Sequence, residues 1–392
     1  MPGTSRAGSG LSGSSWGRKQ AGGKAEEPLR ASKSAKPVKR VSAPKPVPSK
    51  KPQRTVKLLE DSPCFLSECP AWVKAPTLWS PRLSPRRVDV SLLGSGRHGS
   101  SVLRVRHRTL AGAEAVVKQF ARERLLAVPR LHDKVRQTVL NEWRVHSALV
   151  PHPNVVPLYG AHEDKSYVTL IMEAQRGDLL SFLDEQDRDV LSEDEARGVV
   201  ADVLSALEHM HSLGFVHRDV KAENVFAEPV GPSGRGGGGE GGGGVCWRLG
   251  DLGSAVEVAA VMEPGGPGLH LEGSPPFLAP EYAALWAAPP ASRTTQQLQR
   301  ATSPKQDVWA VGALLYDALV GHAPFSGPDP ATEPPLPQLA AAIVGGEPCP
   351  SPAAAGLSPA AVDFIAAALR KDPSQRPSAA QLLGHPWITG AT

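Results

Sequence analysis

Glycines at positions 94, 96 and 99 form a G-x-G-x-x-G loop, a pattern whose chemistry is the binding of phosphates by backbone amides. Glycine suits this task because no Cβ keeps the amide away from the phosphate. One interpretation of Gly94, Gly96 and Gly99 is a dinucleotide fingerprint, and Glu114 stands 20 residues after Gly94, where a ribose-binding acid belongs. That fingerprint has to open a helix, however, and here a strand pattern follows. The context therefore favours a flap between two strands over the phosphates, with a plain hairpin turn as the alternative.

A lysine that closes a short apolar strand is the second candidate. Lys118 ends the run Ala115-Val116-Val117-Lys118, and a buried charge without a partner is costly. Phosphates and a helix carboxylate could neutralise it. Glu142, in the helical pattern that follows, is the predicted carboxylate.

Three further motifs follow in a fixed order and carry a family resemblance. His217-Arg218-Asp219-Val220-Lys221-Ala222-Glu223-Asn224 resembles the catalytic loop H-R-D-x-x-x-x-N of eukaryotic protein kinases. Asp251-Leu252-Gly253 resembles the D-F-G motif, and Ala279-Pro280-Glu281 resembles A-P-E. The resemblance extends over roughly residues 88 to 388. Lys221, two positions after the aspartate, is typical of serine/threonine kinases, and residues 372–388 are similar to the C-terminal lobe of aurora-type or calcium/calmodulin-dependent-group kinases.

The resemblance implies transfer of the γ-phosphate of ATP to a protein Ser/Thr hydroxyl, with Mg²⁺ as the metal ion. Asp219 would be the catalytic base and Lys221 would neutralise the γ-phosphate. Lys118, braced by Glu142, would hold the α and β phosphates. The metal ligands would be Asn224 and Asp251. The other nucleotide contacts implied are Leu93, Gly94, Gly96, Gly99, Glu173, Gln175 and Asp178, with Glu173-Ala174-Gln175 as the hinge and Met172 behind the pocket.

Several departures from the family pattern limit these expectations. Ser101 stands where the glycine loop usually has valine, with Val102 one residue later, and Leu252 replaces the phenylalanine of D-F-G. The competing hypothesis is a nucleotide-binding pseudokinase scaffold, but a pseudokinase would normally have lost at least one of four groups, and all of them are present: Lys118, Asp219, Asn224 and Asp251.

The loop and tail that follow the metal-binding motif give further expectations. Between positions 251 and 281 the only hydroxyl side chains are Ser254 and Ser274, so we expect activity that is independent of phosphorylation in the middle of this segment. By family analogy, Arg376 is predicted to form a structural ion pair with Asp372. A structural role is likewise predicted for Asp307 and Trp309.

The elements that must position these residues change in type along the chain. Period-two alternation predicts strands at 101–108, 114–120 and 167–172, whereas helical spacing predicts helices at 135–149, 179–183, 193–211, 307–319, 360–370 and 379–383. A strand-rich beginning and a helical remainder predict an α+β protein. By the family resemblance, it is a bilobal protein-kinase fold. Its parts are a small β-rich N-lobe at 87–172, a hinge at 173–178 and a larger helical C-lobe at 179–392. The Gly-rich insertion 231–244 and the stretches 287–305 and 327–352 are predicted to be irregular.

Composition separates the folded part of the chain from an arm. The 392 residues include 39 Gly and 39 Pro, yet 41% are hydrophobic, which excludes wholesale disorder. Residues 1–86 carry 17 Lys+Arg against 5 Asp+Glu, whereas the remainder carries 26 against 34. A disordered basic arm is therefore predicted at 1–86.

These charges and the cysteine content also bear on partners and localisation. Protein substrates are implied, and the arm would contact a partner or an anionic surface or remain solvated. The acidic remainder argues against specific nucleic-acid binding, and no apolar run is long enough for a membrane span. The four scattered cysteines favour a reducing compartment, and the expected localisation is cytoplasmic, nuclear or both.

Overall fold

The computed structural model describes residues 88–95, 100–107, 114–121, 139, 141–163, 166–228, 245–262, 271–326 and 334–391. The predicted basic arm and the Gly-rich insertion 231–244 lie outside the described residues. The described part has a β-sheet at its beginning and helices in most of the remainder, so the predicted α+β architecture is confirmed.

The first layer is a five-stranded antiparallel sheet with the order β1-β2-β3-β5-β4. Its strands are β1 (Val88–Ser95), β2 (Ser101–His107), β3 (Glu114–Ala121), β4 (Leu158–Glu163) and β5 (Tyr167–Glu173). A helix over residues 141–149, α1, lies between β3 and β4 in the chain. The predicted helix 135–149 is therefore borne out from 141 onward.

The strand register decides which side chains face the cleft. Lys118 is paired with Val102 on one side and with Leu170 on the other, and directly opposed residues in a sheet share a face. The cleft face therefore carries Val102, and not Ser101, opposite the lysine. The same face carries the apolar cluster beside α1, whose buried members are Phe120, Val139, Trp143, Ala161, Val168 and Leu170.

The second lobe is built mainly of helices around one large apolar core. They are α2 (Leu179–Asp184), α3 (Glu193–Ser212), α4 (Val258–Met262), α5 (Pro280–Ala287), α6 (Thr295–Ala301), α7 (Pro304–Val320), α8 (Leu336–Gly345), α9 (Pro359–Ala368), α10 (Ala379–Leu383) and α11 (Pro386–Thr389). A capping box opens α3, because the Ser192 hydroxyl accepts from the Glu195 amide while the Glu195 carboxylate accepts from the Ser192 amide. Helix α7 is buried along most of its length and forms the centre of this lobe.

Two small sheets place the loops that carry polar residues. Strands β6 (Gly177–Asp178), β8 (Val225–Ala227) and β9 (Trp247–Leu249) form one sheet. Strands β7 (Phe215–Val216) and β10 (Val256–Glu257) form the other. Because β8 and β9 pair antiparallel, the Gly-rich residues belong to the connection of a hairpin.

Two stretches that we predicted to be irregular contain helices. Helix α6 lies within 287–305 and begins at a capping box formed by Thr294 and Gln297. Helix α8 lies within 327–352 and buries one apolar face. Pro335 and Pro337 stand at the start of α8, where proline is tolerated, and Gly346 caps its end. None of the described helices combines the length and the apolar character needed to cross a membrane.

Candidate active site

An ion triad joins the two lobes, with Lys118 and Glu142 buried and Asp251 partly exposed. Lys118 Nζ donates to Glu142 Oε1 at 2.7 Å and to Asp251 Oδ1 at 2.9 Å, so β3, α1 and the Asp251-Leu252-Gly253 motif meet at one ammonium group. Burial by itself lowers the pKa of Lys118, but the carboxylates of Glu142 and Asp251 outweigh it and the pKa is raised. The lysine is therefore positively charged, as the sequence prediction requires.

Gly253 makes the close approach of the triad feasible. A Cβ at this position would lie 3.2 Å from Glu142 Oε2 and 3.4 Å from both Asp251 Oδ1 and Lys118 Nζ. A Cβ would press on the Glu142 carboxylate, whereas its contacts with Asp251 and Lys118 would be ordinary van der Waals contacts. The preceding residue, Leu252, is buried in the large apolar core.

The predicted catalytic base shares a hydroxyl with the predicted phosphate-neutralising lysine. Ser274 Oγ donates to Asp219 Oδ1 at 2.8 Å and accepts from Lys221 Nζ at 2.9 Å. Asn224 Nδ2 donates to the Asp219 carbonyl at 2.7 Å. The aspartate, the lysine and the asparagine of the catalytic-loop motif are thus brought to one place, together with Ser274.

Asp307 at the start of α7 holds the backbone of this loop. Its buried carboxylate accepts from the amides of His217 and Arg218, each at 2.8 Å, and lies 2.9 Å from His211 Nε2. Arg218 has a positive φ of 68°, which is costly for a non-glycine residue, and these charge-assisted hydrogen bonds help to maintain it. The predicted structural role of Asp307 agrees with these contacts.

His217 links the loop to the metal-binding motif. Its side chain is completely buried, and Nε2 lies 3.0 Å from the Gly250 carbonyl. Its Nδ1 accepts from the Asp219 amide at 3.2 Å, so the hydrogen belongs on Nε2, which donates to Gly250. His217 therefore ties the loop at Asp219 to the backbone just before Asp251.

The ion pair predicted for Arg376 is wrong in its partner. Arg376 donates to Glu281 Oε1 at 3.0 Å and to Oε2 at 3.1 Å, whereas the Asp372 carboxylate accepts from the Ser374 amide at 2.8 Å. Family analogy suggested Asp372, but that side chain closes a surface turn. The bidentate pair fixes the first turn of α5, directly after the activation segment.

The polar atoms of Asn224 and Asp251 are of the kind that would hold a magnesium ion. Asn224 uses its amide nitrogen toward Asp219, which leaves its oxygen available, and the Asp251 side chain is 45% exposed. These are the hard oxygen ligands that Mg²⁺ prefers when substrate phosphates and water complete its shell. Within the described residues no group of three or more His, Cys, Asp or Glu could hold a metal ion by itself.

The predicted nucleotide contacts are only partly brought together. Leu93 lies at the register shift of β1 and is 52% exposed, and Gly94 is paired with Val102. Asp178 caps α2, since its Oδ1 accepts from the Ser181 amide and hydroxyl, each at 2.8 Å. Gly96 and Gly99 lie outside the described residues.

The predicted hinge is held by two arginines that the sequence analysis did not single out. Arg248 in β9 donates to the Glu173 carboxylate and to Glu228 Oε1, the latter at 2.6 Å. Arg104 in β2 donates through Nη2 to the Gln175 carbonyl at 2.7 Å. The hinge is therefore bound by a cation from each lobe. Neither arginine belongs to a motif, and only the pairing of distant strands reveals them.

Comparison with known proteins agrees with this geometry. Residues 88–388 match the family described as "Protein kinase domain". The chain is 30% identical over 264 residues to ribosomal protein S6 kinase alpha-2 of Homo sapiens, which is 66% of this chain and 31% of that protein. It is 29% identical over 248 residues to a calcium and calcium/calmodulin-dependent serine/threonine-protein kinase of Pisum sativum, 63% of this chain and 40% of the relative.

A third relative is covered more completely. The chain is 27% identical over 324 residues to the phosphorylase b kinase gamma catalytic chain, liver/testis isoform, of Bos taurus, 82% of this chain and 70% of the relative. The chain thus spans about a third of the first of these relatives and more than two thirds of the third. Because the family match extends over more than half of the sequence, the chain belongs to the protein kinase family.

Proposed function

We propose that this protein is an active serine/threonine kinase that transfers the γ-phosphate of ATP to hydroxyl groups of protein substrates. The single observation that carries the proposal is the Lys118–Glu142–Asp251 triad, with nitrogen–oxygen distances of 2.7 and 2.9 Å. It connects the sheet, the helix α1 and the metal-binding motif. Phosphoryl transfer demands mainly positioning and charge neutralisation, and a connected triad supports both.

The residues around Asp219 support its role as the base. Its carboxylate accepts from a hydroxyl group, that of Ser274, at 2.8 Å. A substrate hydroxyl makes the same kind of hydrogen bond before it attacks the phosphate. Lys221, 3.8 Å from Asp219 Oδ2, would stabilise negative charge on the transferred group.

The metal and the nucleotide would be held by the chain's own polar groups. Asn224 and Asp251 would bind Mg²⁺, which neutralises phosphate charge when bound. Lys118 would bind the α and β phosphates, and backbone atoms of the hinge at 173–175 would orient the base. The pseudokinase alternative has less support. A pseudokinase would normally lack at least one of four groups, and the chain has all of them: Lys118, Asp219, Asn224 and Asp251.

The test is a library of peptides that present Ser, Thr or Tyr as acceptors. The full-length protein is incubated with ATP and Mg²⁺, and the phosphorylated residues are identified by mass spectrometry. We expect phosphate on Ser and Thr peptides, little or none on Tyr peptides, and loss of transfer when the metal is chelated. Transfer to tyrosine alone, or transfer that survives chelation, would contradict the proposal.

A further inference from the structure

We propose that Arg104 is a nucleotide-positioning residue that ties the sheet above the cleft to the hinge and so presets the slot for the base. The inference rests on the proposed nucleotide binding and adds a residue that belongs to none of the motifs. Arg104 lies in β2, away from the glycine loop.

The register of the sheet places Arg104 on the cleft face. Val102 is opposite Lys118, and Arg104 is opposite Val116, the next residue of β3 on the same face. Val116 in turn is opposite Met172, the last residue before the hinge. Arg104 therefore lies along the row that starts at the phosphate-binding lysine and ends at the hinge.

The contacts of the guanidinium group join two separate parts of the site. Arg104 Nη2 donates to the backbone carbonyl of Gln175 at 2.7 Å, across 71 residues of sequence. Arg104 Nη1 lies 3.7 Å from Glu114 Oε2, which balances the charge, and the arginine side chain is only 28% exposed. A charge-assisted hydrogen bond in this partly buried setting is stronger than a neutral surface contact.

One donor of Arg104 has no partner in the described part of the protein. The Nε atom is buried and makes no hydrogen bond there, and buried donors are usually satisfied. A nucleotide brings ribose and ring acceptors to this cleft. Because Nε is closed to solvent, a nucleotide could reach it only after the guanidinium group moves, so the Nη2 contact with the Gln175 carbonyl is the one that forms the tether.

The expected consequence is a change in binding and not in chemistry. The contact between Arg104 and the Gln175 carbonyl exists before the nucleotide binds, so less conformational entropy is lost on binding. Arg104 touches none of the residues that we place at the phosphate or the hydroxyl. Its loss should raise the nucleotide Kd and the KM for ATP while kcat stays nearly constant.

The experiment compares Arg104→Leu with Arg106→Leu in the full-length protein. Arg106 is the matched control, because it lies two residues along β2 and also pairs with Glu114, at 2.6 Å, but its side chain is 63% exposed. The Kd for a fluorescent ADP analogue is measured by titration, and kcat and KM for ATP are measured with a phosphorylated peptide as readout. We expect Arg104→Leu to raise Kd and KM about tenfold, the effect of losing one hydrogen bond to a charged group, with Arg106→Leu unchanged.

The conservative variant Arg104→Lys separates positioning from a merely structural role. It keeps the cation and one donor toward the hinge, so we expect Kd between those of the wild type and Arg104→Leu, at equal thermal stability. If Arg104→Leu proves unstable, Arg104→Lys and Arg104→Gln are compared at a temperature where both are folded. Equal Kd values for all Arg104 variants, or a fall in kcat with Kd unchanged, would overturn the inference. Failure of the wild type to bind the analogue would instead refute the proposed function.

Discussion

Replacement of Glu281 by Gln should destabilise the protein far more than replacement of Asp372 by Asn. The side chain of Arg376 is completely buried and is paired bidentately with Glu281, which is 18% exposed. The guanidinium also donates to the carbonyls of Arg370 and Lys305. Glu281→Gln preserves the shape and one acceptor, but it leaves a buried positive charge with neutral partners only.

The size of the effect follows from the burial of the pair. Removal of one partner from a buried ion pair costs about 3–5 kcal/mol. The glutamine oxygen still accepts one N–H of Arg376, so we expect the lower end, about 3 kcal/mol. For a domain of this size, each kcal/mol lowers Tm by about 2–4 °C, so a fall of about 6–12 °C is predicted.

The assay is thermal unfolding of the full-length protein followed by circular dichroism, at one pH and one salt concentration. Asp372→Asn is the matched control, since Asp372 is exposed and closes a turn through the Ser374 amide, and its Tm should equal that of the wild type. Equal losses for the two variants, or a larger loss for Asp372→Asn, would refute the assignment of Glu281 as the partner of Arg376.

Three further outcomes follow from the same contacts. Deletion of residues 231–244 should leave kcat and KM unchanged. Strands β8 and β9 pair directly with each other, and the entropic cost of closing a loop depends only weakly on its length. A large fall in kcat would show that the segment takes part in catalysis. Gly253→Ala should lower kcat about tenfold or more, the effect of a small misplacement of reacting groups, since its Cβ would lie 3.2 Å from Glu142 Oε2 and 3.4 Å from Lys118 Nζ; unchanged steady-state kinetics would contradict this crowding. Burial raises the pKa of Asp317 from 3.8 to about 6, so the folded state loses stability as the pH rises through this range. Asp317→Asn should therefore raise Tm at pH 7.5 but not at pH 4. An equal change at both pH values would exclude ionisation as the cause.

The motifs allowed the catalytic groups to be predicted, because their chemistry fixes both the residue types and the order. Lys118 and Glu142 were paired from the cost of a buried charge, and the structure joins them at 2.7 Å. The catalytic loop likewise gathers around Asp219. In both places a few charged side chains must lie close together to neutralise one another, so the residue types alone indicate the contacts.

Contacts between distant, motif-free residues could not be predicted in this way. Alternation in β2 predicts a strand, but it does not tell which face meets the cleft, so Arg104 gave no signal of its contact with the hinge. Arg376 and Glu281 are 95 residues apart, and a carboxylate four residues away offered the simpler pairing. Helix α8 was missed because the prolines around it outweighed its apolar period.

We expect Asp219 to take part in phosphoryl transfer but not in the binding of the nucleotide. The most direct measurement compares the wild type, Asp219→Asn and the control Asp194→Asn, an exposed carboxylate at the start of α3, for nucleotide Kd and for single-turnover transfer to a Ser/Thr peptide. We predict equal Kd values for all three proteins. Transfer by Asp219→Asn should be slower by about 10²-fold or more, as for loss of a general base. Binding without transfer by the wild type, or equal transfer by Asp219→Asn, would contradict the claim.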